Sequence, residues 1–537
     1  MGVDIILREL SPMGHYKTVK EIETKTWDAI IIGSGMGGLT TAAALARSGM
    51  RCLVIEQHYV PGGFTHDFQR KGFTWDVGVH AIGALAPNRQ LRNMFDYISE
   101  DRLKWEFFGD TYETFRFPGN EKFVFPSDKK KFRQAMEDYF PNEKESIRKY
   151  FQYIDQAAKE MSFYYLAKAM PTSVMKFMNA TGRGGKKWRA KLTEDVLNEL
   201  NLSEKCRAVL VSQWGYYGDV PKDSSFAMQA MVVKHFQYGA YYPIGGSSMI
   251  AKEIIETIRK TGGDVVVRSA VKELILENGK CVGVKATHRD GSYEFRSPIV
   301  FSAISALSLV RHLIPESYQQ IPWAQELKSF HQTPPHVCLY IGFEGDVEKA
   351  GATHSSQWLN QTWNMNQKYW NCEDPKARPP ILFVSFPSIK DPAHEATEVK
   401  KHTGEVVTFV DFELFKKWQD SKRGKRPEEY DELKKNIEER ILAEFKEAFP
   451  ELAKLIVYHE LSTPLSTTFY VDTPEGAIYG LEHTPKRFLS THLQTRTPIP
   501  GLYMSASDVA TGGVAGAMTG GMLAAATIKP KLFLKML

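Results

Sequence analysis

A glycine turn with the spacing of a phosphate-binding loop stands near the start of the chain. It follows the apolar, β-branched stretch 29–32 and precedes an alanine-rich stretch that Gly49 is placed to end. In the pattern Gly-x-Gly-x-x-Gly, the first glycine makes a tight turn, the second lets the backbone approach a pyrophosphate, and the third lets a helix pack on a strand. The N-terminus of that helix offers free N–H groups to phosphates. We therefore expect five residues to hold a dinucleotide: Gly33, Gly35, Met36, Gly37 and Gly38.

A carboxylate follows this turn at the distance that dinucleotide binding requires. Residues 51–55 predict a second parallel strand, and Glu56 comes directly after it, near the ~20 residues expected beyond the glycines. A carboxylate at this place accepts both hydroxyls of an adenosine ribose and disfavours the 2′-phosphate of NADP. FAD and NAD remain as candidates.

A second glycine turn favours FAD over NAD. An NAD-binding chain would continue from Glu56 into another strand and helix, but this chain turns again at Gly62, Gly63 and Phe64. Glycine suits a backbone that passes close to a large flat cofactor. A plain surface loop is the alternative interpretation of this segment.

A third glycine turn lies near the end of the chain. The predicted strand 501–506 leads to Asp508, then to a turn containing Gly513 and Val514, and then to an alanine-rich helix ending near residue 528. This helix start is a second place where a dipole end can face an anion. The carboxylate of Asp508 would accept hydroxyls of a ribityl chain, which again favours FAD.

The segment 240–310 predicts the middle of a flavoprotein sheet. Its pattern gives a helix, a strand, an antiparallel meander and a return strand. The fold class that follows is α/β, with a discontinuous Rossmann-type FAD-binding domain and an inserted α+β substrate domain. The predicted FAD-binding domain comprises 26–100, 240–310 and 461–537, and the predicted substrate and membrane-associated domain comprises 101–239 and 311–460.

With these motifs the sequence resembles the FAD-dependent phytoene desaturase-like superfamily, and within it the retinol saturase and carotenoid isomerase branch. The similarity covers most of the chain, and the segments 239–251 and 463–469 are its most branch-specific parts. It implies that the Gly33 turn and Glu56 hold the ADP half of FAD and that the loop at 62–63 passes the flavin. It further implies that Val271 meets the adenine through its backbone and that Asp508 holds the ribityl chain.

The aromatic residues, 12% of the chain, support two interpretations. They are either core at a domain interface or the lining of a tunnel for a rod-like apolar substrate, because ligand pockets are mostly apolar. The resemblance favours the tunnel. The candidate lining residues are Trp214, Tyr238, Tyr241 and Tyr242.

Charge and composition limit the partners. The formal net charge of +5 over 537 residues is modest, and no nucleic-acid module accompanies it, so we expect no nucleic-acid partner. A basic cluster at 183–191 surrounds Trp188 after an apolar stretch at 163–178, which fits either an interfacial membrane anchor or a solvated charge run. The glycine- and alanine-rich stretch 509–528 is a poor membrane span.

The remaining composition concerns compartment and metals. The five cysteines are scattered without a Cys-x-x-Cys pair, so neither a disulfide framework nor a metal site is expected. The opening residues carry charges before any long apolar run, which predicts no signal peptide. We expect a cytoplasmic protein, peripheral on a membrane and not secreted.

The chemistry expected from these motifs is flavin redox chemistry, in which the protein orients the reactants, guides protons and excludes water. His80, after the flavin loop, is the candidate catalytic residue for proton transfer, against the alternative that it only hydrogen-bonds the loop. The leading hypothesis is an oxidoreductase acting on C=C bonds of a long polyene or isoprenoid lipid. The alternatives are an amine oxidase and a non-enzymatic escort of prenylated proteins or lipids. One dinucleotide pattern is present, which indicates no dedicated NADPH site. The electron donor or acceptor is unknown.

Overall fold

The computed structural model describes residues 16–17, 19–22, 25–168, 170, 185–289, 291–394 and 400–536. Two large sheets organise this part of the chain. One has five parallel strands and the other has seven strands of mixed direction. The predicted α/β class is confirmed.

The five-stranded sheet is built from three distant parts of the chain. Counted along the chain, its strands have the spatial order 3-2-1-4-5, and all four neighbouring pairs are parallel. The order reverses beside the first strand, and ligands bind at such a switch point, beyond the carboxyl ends of the strands. The strands in chain order are Ala29–Ile32, Cys52–Ile55, Asp264–Val266, Val300–Ser302 and Leu502–Met504.

Helices cover this sheet and carry the glycine turns. The predicted strand, turn and helix at the start of the chain are present, with the helix at Met36–Ala46 and Gly49 at φ +84° beyond it. Every residue of this helix is buried, because the C-terminal helix Gly513–Ile528 packs against it. The helices Gln90–Ser99 and Ser248–Arg259 complete the group.

The predicted meander is a separate three-stranded antiparallel sheet. Its strands are Ala270–Glu277, Lys280–His288 and Gly291–Arg296. Two small pairings accompany it: Asp67–Arg70 with Phe73–Asp76, and Ala240–Pro243 between Ile82–Gly83 and Trp105–Phe107.

The seven-stranded sheet forms the second half of the molecule. Most of its pairs are antiparallel, and Ser356–Asn360 runs parallel to Thr111–Phe117. The strands in spatial order are Ile456–Ser462, His336–Glu344, Lys401–Phe409, Ile381–Ser385, Ser356–Asn360, Thr111–Phe117 and Glu121–Pro126. One face of this sheet points toward the five-stranded sheet and forms the floor of the space between the two sheets.

Helices surround the seven-stranded sheet. An amphipathic helix at Glu428–Ala448 buries Tyr430, Ile437, Ile441 and Phe445. The other helices of eight or more residues in this half of the described chain are Lys129–Tyr139, Lys144–Lys168, Glu204–Val211, Phe226–Phe236 and Pro464–Val471. Shorter helices lie at Thr193–Asn198, Ala306–Ser308, Pro322–Lys328, Pro387–Lys390, Glu413–Lys416, Pro450–Ala453 and Pro485–Leu489.

Candidate active site

A cavity of about 1290 Å³ runs from the switch point of the parallel sheet to the face of the seven-stranded sheet. Pockets for a single ligand usually have ~300–1,000 Å³, so this one has room for two molecules side by side. Its two ends differ in chemistry, with glycine turns at one end and aromatic and aliphatic side chains at the other.

Two helix N-termini face the glycine end of the cavity. The helix Met36–Ala46 begins after Gly35, and the helix Gly513–Ile528 begins after Gly512; neither start has a side-chain cap or an acidic residue in its first turn. The free N–H groups there keep their capacity for an external anion. A Cβ placed on Gly35 or on Gly513 would meet no atom within 4 Å, so the space beside both residues belongs to the cavity.

Glu56 lies at the edge of the glycine end of the cavity, which we call the cofactor cradle. Its carboxylate is held by hydrogen bonds from Ser34 and His58. Its Oε2 accepts hydrogen bonds from N and Oγ of Ser34, at 2.9 and 2.6 Å, and its Oε1 accepts one from N of His58 at 2.7 Å. The residue is 9% exposed and lines the cavity. These donors fix the carboxylate in one orientation and leave lone pairs for hydroxyl groups of a ligand.

The second glycine turn lies on the first one. Gly62 and Gly63 have φ of +119° and +57°, and a Cβ on Gly63 would lie 3.0 Å from Cα of Gly35. Only glycine tolerates both the backbone angle and this approach. Both residues and the neighbouring Phe64 line the cavity.

Asp508 closes the cradle from the C-terminal side. Its Oδ2 accepts a hydrogen bond from N of Ala306 at 2.8 Å, and its Oδ1 accepts one from N of Leu481 at 3.1 Å. The side chain is buried at the cavity wall. Val271 and Val514 also line this end, whereas Gly38 does not: a Cβ there would lie 2.1 Å from the carbonyl oxygen of Gly33, which agrees with a packing role.

The apolar end of the cavity rests on one face of the seven-stranded sheet. Side chains alternate across a strand, so every second residue of a strand shares this face. The floor consists of Trp358, Ile381, Phe383, Val407 and Phe409. We call these five residues the apolar floor.

Comparisons with known proteins agree with this architecture. The sequence profile of the family described as flavin containing amine oxidoreductase matches residues 36–529. The chain belongs to this flavin oxidoreductase family. It is an FAD-dependent oxidoreductase.

Curated relatives lie in the predicted branch. An all-trans-retinol 13,14-reductase of Danio rerio is 31% identical, with 93% of this chain and 86% of that protein covered. The all-trans-retinol 13,14-reductase of Homo sapiens is 30% identical over 93% and 85%. A chloroplastic prolycopene isomerase of Daucus carota is 25% identical over 91% and 77%. The resemblance to the retinol saturase and carotenoid isomerase branch is confirmed.

Solved structures share the fold of this flavoprotein. A putrescine oxidase superposes with a TM-score of 0.61 at 15% identity, covering 94% of this chain and 99% of the other. Cyclohexylamine oxidase from Brevibacterium oxydans superposes with a TM-score of 0.59 at 17% identity, covering 95% and 100%. At these identities the similarity concerns the fold.

The cradle of this flavoprotein fits FAD by its own chemistry. Two uncapped helix starts suit a pyrophosphate, an oriented carboxylate suits a ribose, and glycines without a Cβ leave space for a flat ring system. These features belong to segments far apart in the sequence, and the fold brings them around one cavity.

His80 of the flavoprotein lines the cavity and contacts a buried carboxyl group. Its Nδ1 lies 2.7 Å from Oε2 of Glu405, and its carbonyl oxygen accepts a hydrogen bond from Nζ of Lys390 at 3.0 Å. Burial, with the nearby ammonium of Lys390, lowers the pKa of His80 to about 4. Burial raises the pKa of Glu405 to about 8. The lowered pKa of His80 and the raised pKa of Glu405 both favour a neutral pair with one proton between the two groups. The sequence did not indicate Glu405 as a partner of His80.

The predicted aromatic lining needs correction. Tyr238 lines the cavity, but Trp214, Tyr241 and Tyr242 do not. Trp214 is buried behind the wall against Phe409, with ring centroids 5.4 Å apart. Tyr241 packs on Phe107, and Tyr242 turns its hydroxyl away to donate to Asp76. Clustering in sequence indicated the right region, but the packing of each side chain against neighbouring elements decides which of them face the cavity.

The basic cluster is divided in its burial: Lys186 and Lys187 are exposed, whereas its centre is buried. Trp188 is 3% exposed and Arg189 is 5% exposed. These two side chains are therefore part of the core. Nε of Arg189 lies 3.2 Å from Oε1 of the buried Glu160. Residues 171–184, which carry a further part of the predicted anchor, lie outside the described part of the chain. Among the described helices, none is long and apolar enough to cross a membrane.

Proposed function

We propose that this flavoprotein saturates a C=C bond of a long apolar polyene of the retinoid class. The observation that carries the proposal is the apolar floor beside the FAD cradle, within one cavity that has room for cofactor and substrate. An extended aromatic and aliphatic surface suits a rod-like hydrocarbon, since pockets recognise ligands mainly through apolar contact. The names of the relatives, retinol 13,14-reductase and prolycopene isomerase, support a polyene.

The residues have distinct proposed roles. Bound FAD supplies a hydride equivalent when reduced. The cofactor-binding residues are Gly33, Gly35, Met36, Gly37, Glu56, Gly62, Gly63, Phe64, Val271, Asp508, Gly513 and Val514. Gly38 supports them by letting the helix pack on the strand. The apolar floor orients the polyene and keeps water from it.

We place the substrate entrance at a membrane surface. Phe163 lines the cavity and is 44% exposed, so its ring lies at the mouth. Exposed aromatic residues bind the interface of a bilayer. Phe163→Ser should weaken co-sedimentation with anionic phospholipid vesicles, whereas Val457→Ser, at an exposed site on the far strand, should not. Equal binding by both variants would argue against this entrance.

The test of the activity is an anaerobic turnover. All-trans-retinol, a poly-cis carotenoid, an unsaturated isoprenoid and a primary amine are offered separately to the protein with reduced flavin. Each is also offered to the protein with oxidised flavin, the electron acceptor that desaturation and amine oxidation need. A product heavier by two hydrogens supports saturation. An unchanged mass with altered geometry indicates isomerisation, and a loss of hydrogens indicates desaturation. Bleaching of the oxidised flavin by the amine alone would favour amine oxidation, and a colourless protein that extracts prenylated partners would favour an escort.

A floor variant tests where the polyene binds. Val407→Phe fills part of the cavity above the sheet and should raise KM for the polyene, while the flavin stays bound. Val457→Phe makes the same change at a strand position that is 53% exposed and should leave KM unchanged. An unchanged KM in Val407→Phe would place the substrate elsewhere.

A further inference from the structure

Four polar side chains lie in register across four adjacent strands of the seven-stranded sheet. Glu405 pairs with Ser385, and Ser356 pairs with Glu113. Ser356 and Ser385 lie one position beyond the pair of Gln357 and Val384 on neighbouring strands. Residues directly opposite each other project from the same face of a sheet. We call Glu405, Ser385, Ser356 and Glu113 the polar row; each of its side chains is fully buried.

The polar row continues the apolar floor. Glu405 precedes Val407 by two residues, and Ser385 follows Phe383 by two. The row therefore lies on the face that floors the cavity, one step along the strands from it.

One ammonium group lies over the centre of the row. Nζ of Lys390 donates hydrogen bonds to Oγ of Ser385 at 2.7 Å and to Oγ of Ser356 at 3.4 Å. It also binds the carbonyl oxygen of His80 at 3.0 Å. Lys390 is 1% exposed, and its charge acts on both terminal carboxyl groups of the row.

Each end of the row reaches the cavity through a proton-carrying side chain. At one end, Oε2 of Glu405 lies 2.7 Å from Nδ1 of His80. At the other, Glu113 accepts a hydrogen bond from the hydroxyl of Tyr216. His80 and Tyr216 both line the cavity.

A third carboxyl group joins the row from the flavin side. N of Asp76 donates to Oε1 of Glu405 at 2.9 Å, while the carboxyl group of Asp76 accepts hydrogen bonds from the hydroxyl of Tyr242 and from N of Ser247. The other titratable groups that face this cluster from neighbouring elements are Tyr112, His336, Cys338 and Tyr340.

The titratable groups of this cluster cannot all be ionised at the same time. Three buried carboxyl groups face one ammonium, and like charges in a buried site raise one another's pKa. Burial raises the pKa of Glu113 to about 8 and that of Asp76 to about 7, and it lowers that of Lys390 to about 8. At neutral pH the cluster therefore retains protons on its carboxyl groups, and the protons belong to the group rather than to one residue.

We propose that the polar row is a proton store that serves the cavity through His80. The inference rests on the proposed function, because saturation of a C=C bond needs a proton as well as a hydride. The hydride adds to one carbon, and the π electron pair forms the second C–H bond with the proton.

The geometry defines a balanced path for this proton. Oε2 of Glu405 lies 2.7 Å from Nδ1 of His80, within reach of a proton transfer. The path starts with the proton of this pair on Glu405, so the neutral ring carries its own proton on Nε2. That proton passes to the substrate carbon as Nδ1 takes the proton of Glu405. Glu405 is left as a carboxylate beside the ammonium of Lys390 and the N–H of Asp76, and the store is refilled from water.

The first test observes the store directly, without turnover. Infrared difference spectra of the FAD-loaded protein, recorded between pH 6 and pH 9, should show the carbonyl stretch of a protonated carboxyl group that disappears on alkalisation. Glu405→Gln should remove a component of this band, and Lys390→Met should shift its titration to higher pH. Glu460→Gln, a half-exposed site on the strand at the edge of the same sheet, should leave the band unchanged. A spectrum without this band at neutral pH would overturn the inference and leave the proposed function intact.

The second test follows the proton into the reaction. In single turnovers of the pre-reduced protein with all-trans-retinol, Glu405→Gln and His80→Gln should be slower by about 10²-fold, the scale of general acid catalysis. Both should lose the solvent deuterium isotope effect, while flavin content and KM stay near those of the wild type. Wild-type rates in both variants would overturn the inference. If no polyene is reduced by the wild type, the proposed function fails, and the infrared band alone decides whether the proton store exists.

Discussion

At the scale of single residues, Ser34 connects three parts of the cofactor cradle. Ser34 occupies a variable position of the glycine pattern, so the pattern predicted no role for it. Its side chain is nevertheless fully buried. Its Oγ donates to Oε2 of Glu56 and accepts from N of Gly62 at 3.1 Å. The hydroxyl thus fixes the ribose-binding carboxylate and the second glycine turn at once.

Replacement of Ser34 should loosen this connection. Ser34→Ala leaves the buried N–H of Gly62 without its partner, which costs about 1–3 kcal/mol of the free energy of unfolding. The affinity for FAD should fall as well, because Glu56 loses a donor. Urea unfolding and flavin fluorescence titration measure the two effects. Ser48→Ala is the control, because the hydroxyl of Ser48 contacts the carbonyl oxygen of Ala44 and the side chain of Tyr97, away from the cofactor-binding residues. Equal losses in both variants would contradict the prediction.

Glu405 makes stability depend on pH in a defined direction. Its pKa is raised from 4.5 to about 8, so the folded protein holds a proton that the unfolded chain has released over that interval. Stability from this group is complete below pH 4.5 and is lost as the pH rises toward 8. His80 has the opposite effect: between pH 4 and 6.5 its contribution to stability grows as the pH rises, because its pKa is lowered.

The window from pH 6.5 to 8 isolates the carboxyl groups. For each proton that the folded protein retains in this window, the free energy of unfolding falls by ~1.4 kcal/mol for every unit that the pH rises. Glu405→Gln should show a shallower decline than the wild type in urea unfolding at a series of pH values. Glu460→Gln should follow the wild-type curve, and parallel curves for Glu405→Gln and the wild type would refute the assignment.

At the scale of elements, two helices with glycine at their contact hold the cradle together. A Cβ on Gly521 would lie 2.4 Å from the carbonyl oxygen of Gly37, and Oγ1 of Thr41 donates to the carbonyl oxygen of Gly521 at 3.1 Å. Both helices begin at the cavity, so their contact also sets the distance between the two anion-binding ends.

A single methyl group should separate these helices. Gly521→Ala should cost about 1–3 kcal/mol of stability through overpacking, and it should weaken FAD binding because both helix starts move. Met522→Leu, a volume-conserving change at the next position, should cost less than about 1.5 kcal/mol and keep the affinity. Thermal unfolding and flavin titration compare the two variants. Equal affinity in Gly521→Ala and the wild type would show that the helix starts do not depend on this contact.

Sequence reasoning succeeded where a signal is local. The glycine turns, the strands that precede them and the meander are each encoded within about a dozen neighbouring residues, and all were predicted. The polar row was missed for a physical reason: Glu113 and Glu405 lie far apart in the sequence, and only the pairing of four strands places them in one buried line. Trp214 and Tyr242 were misplaced because their side of a strand or turn is set by tertiary packing.

At the scale of the whole molecule, FAD should act as a structural element as well as a reagent. The cavity lies between two sheets and is lined by residues from 32 to 536, so bound cofactor joins segments from nearly the full chain. A ligand that binds only the folded state stabilises it by ~2.7 kcal/mol at 100 times its Kd. FAD added to the apoprotein should therefore raise Tm with its concentration, and ADP should raise it less, because it occupies only the helix starts and Glu56. NAD at the same concentration serves as the control, since it was the competing candidate and lacks the isoalloxazine that the Gly62–Gly63 turn leaves room for. A Tm shift with NAD equal to that with FAD would contradict the assignment of the second glycine turn to the flavin.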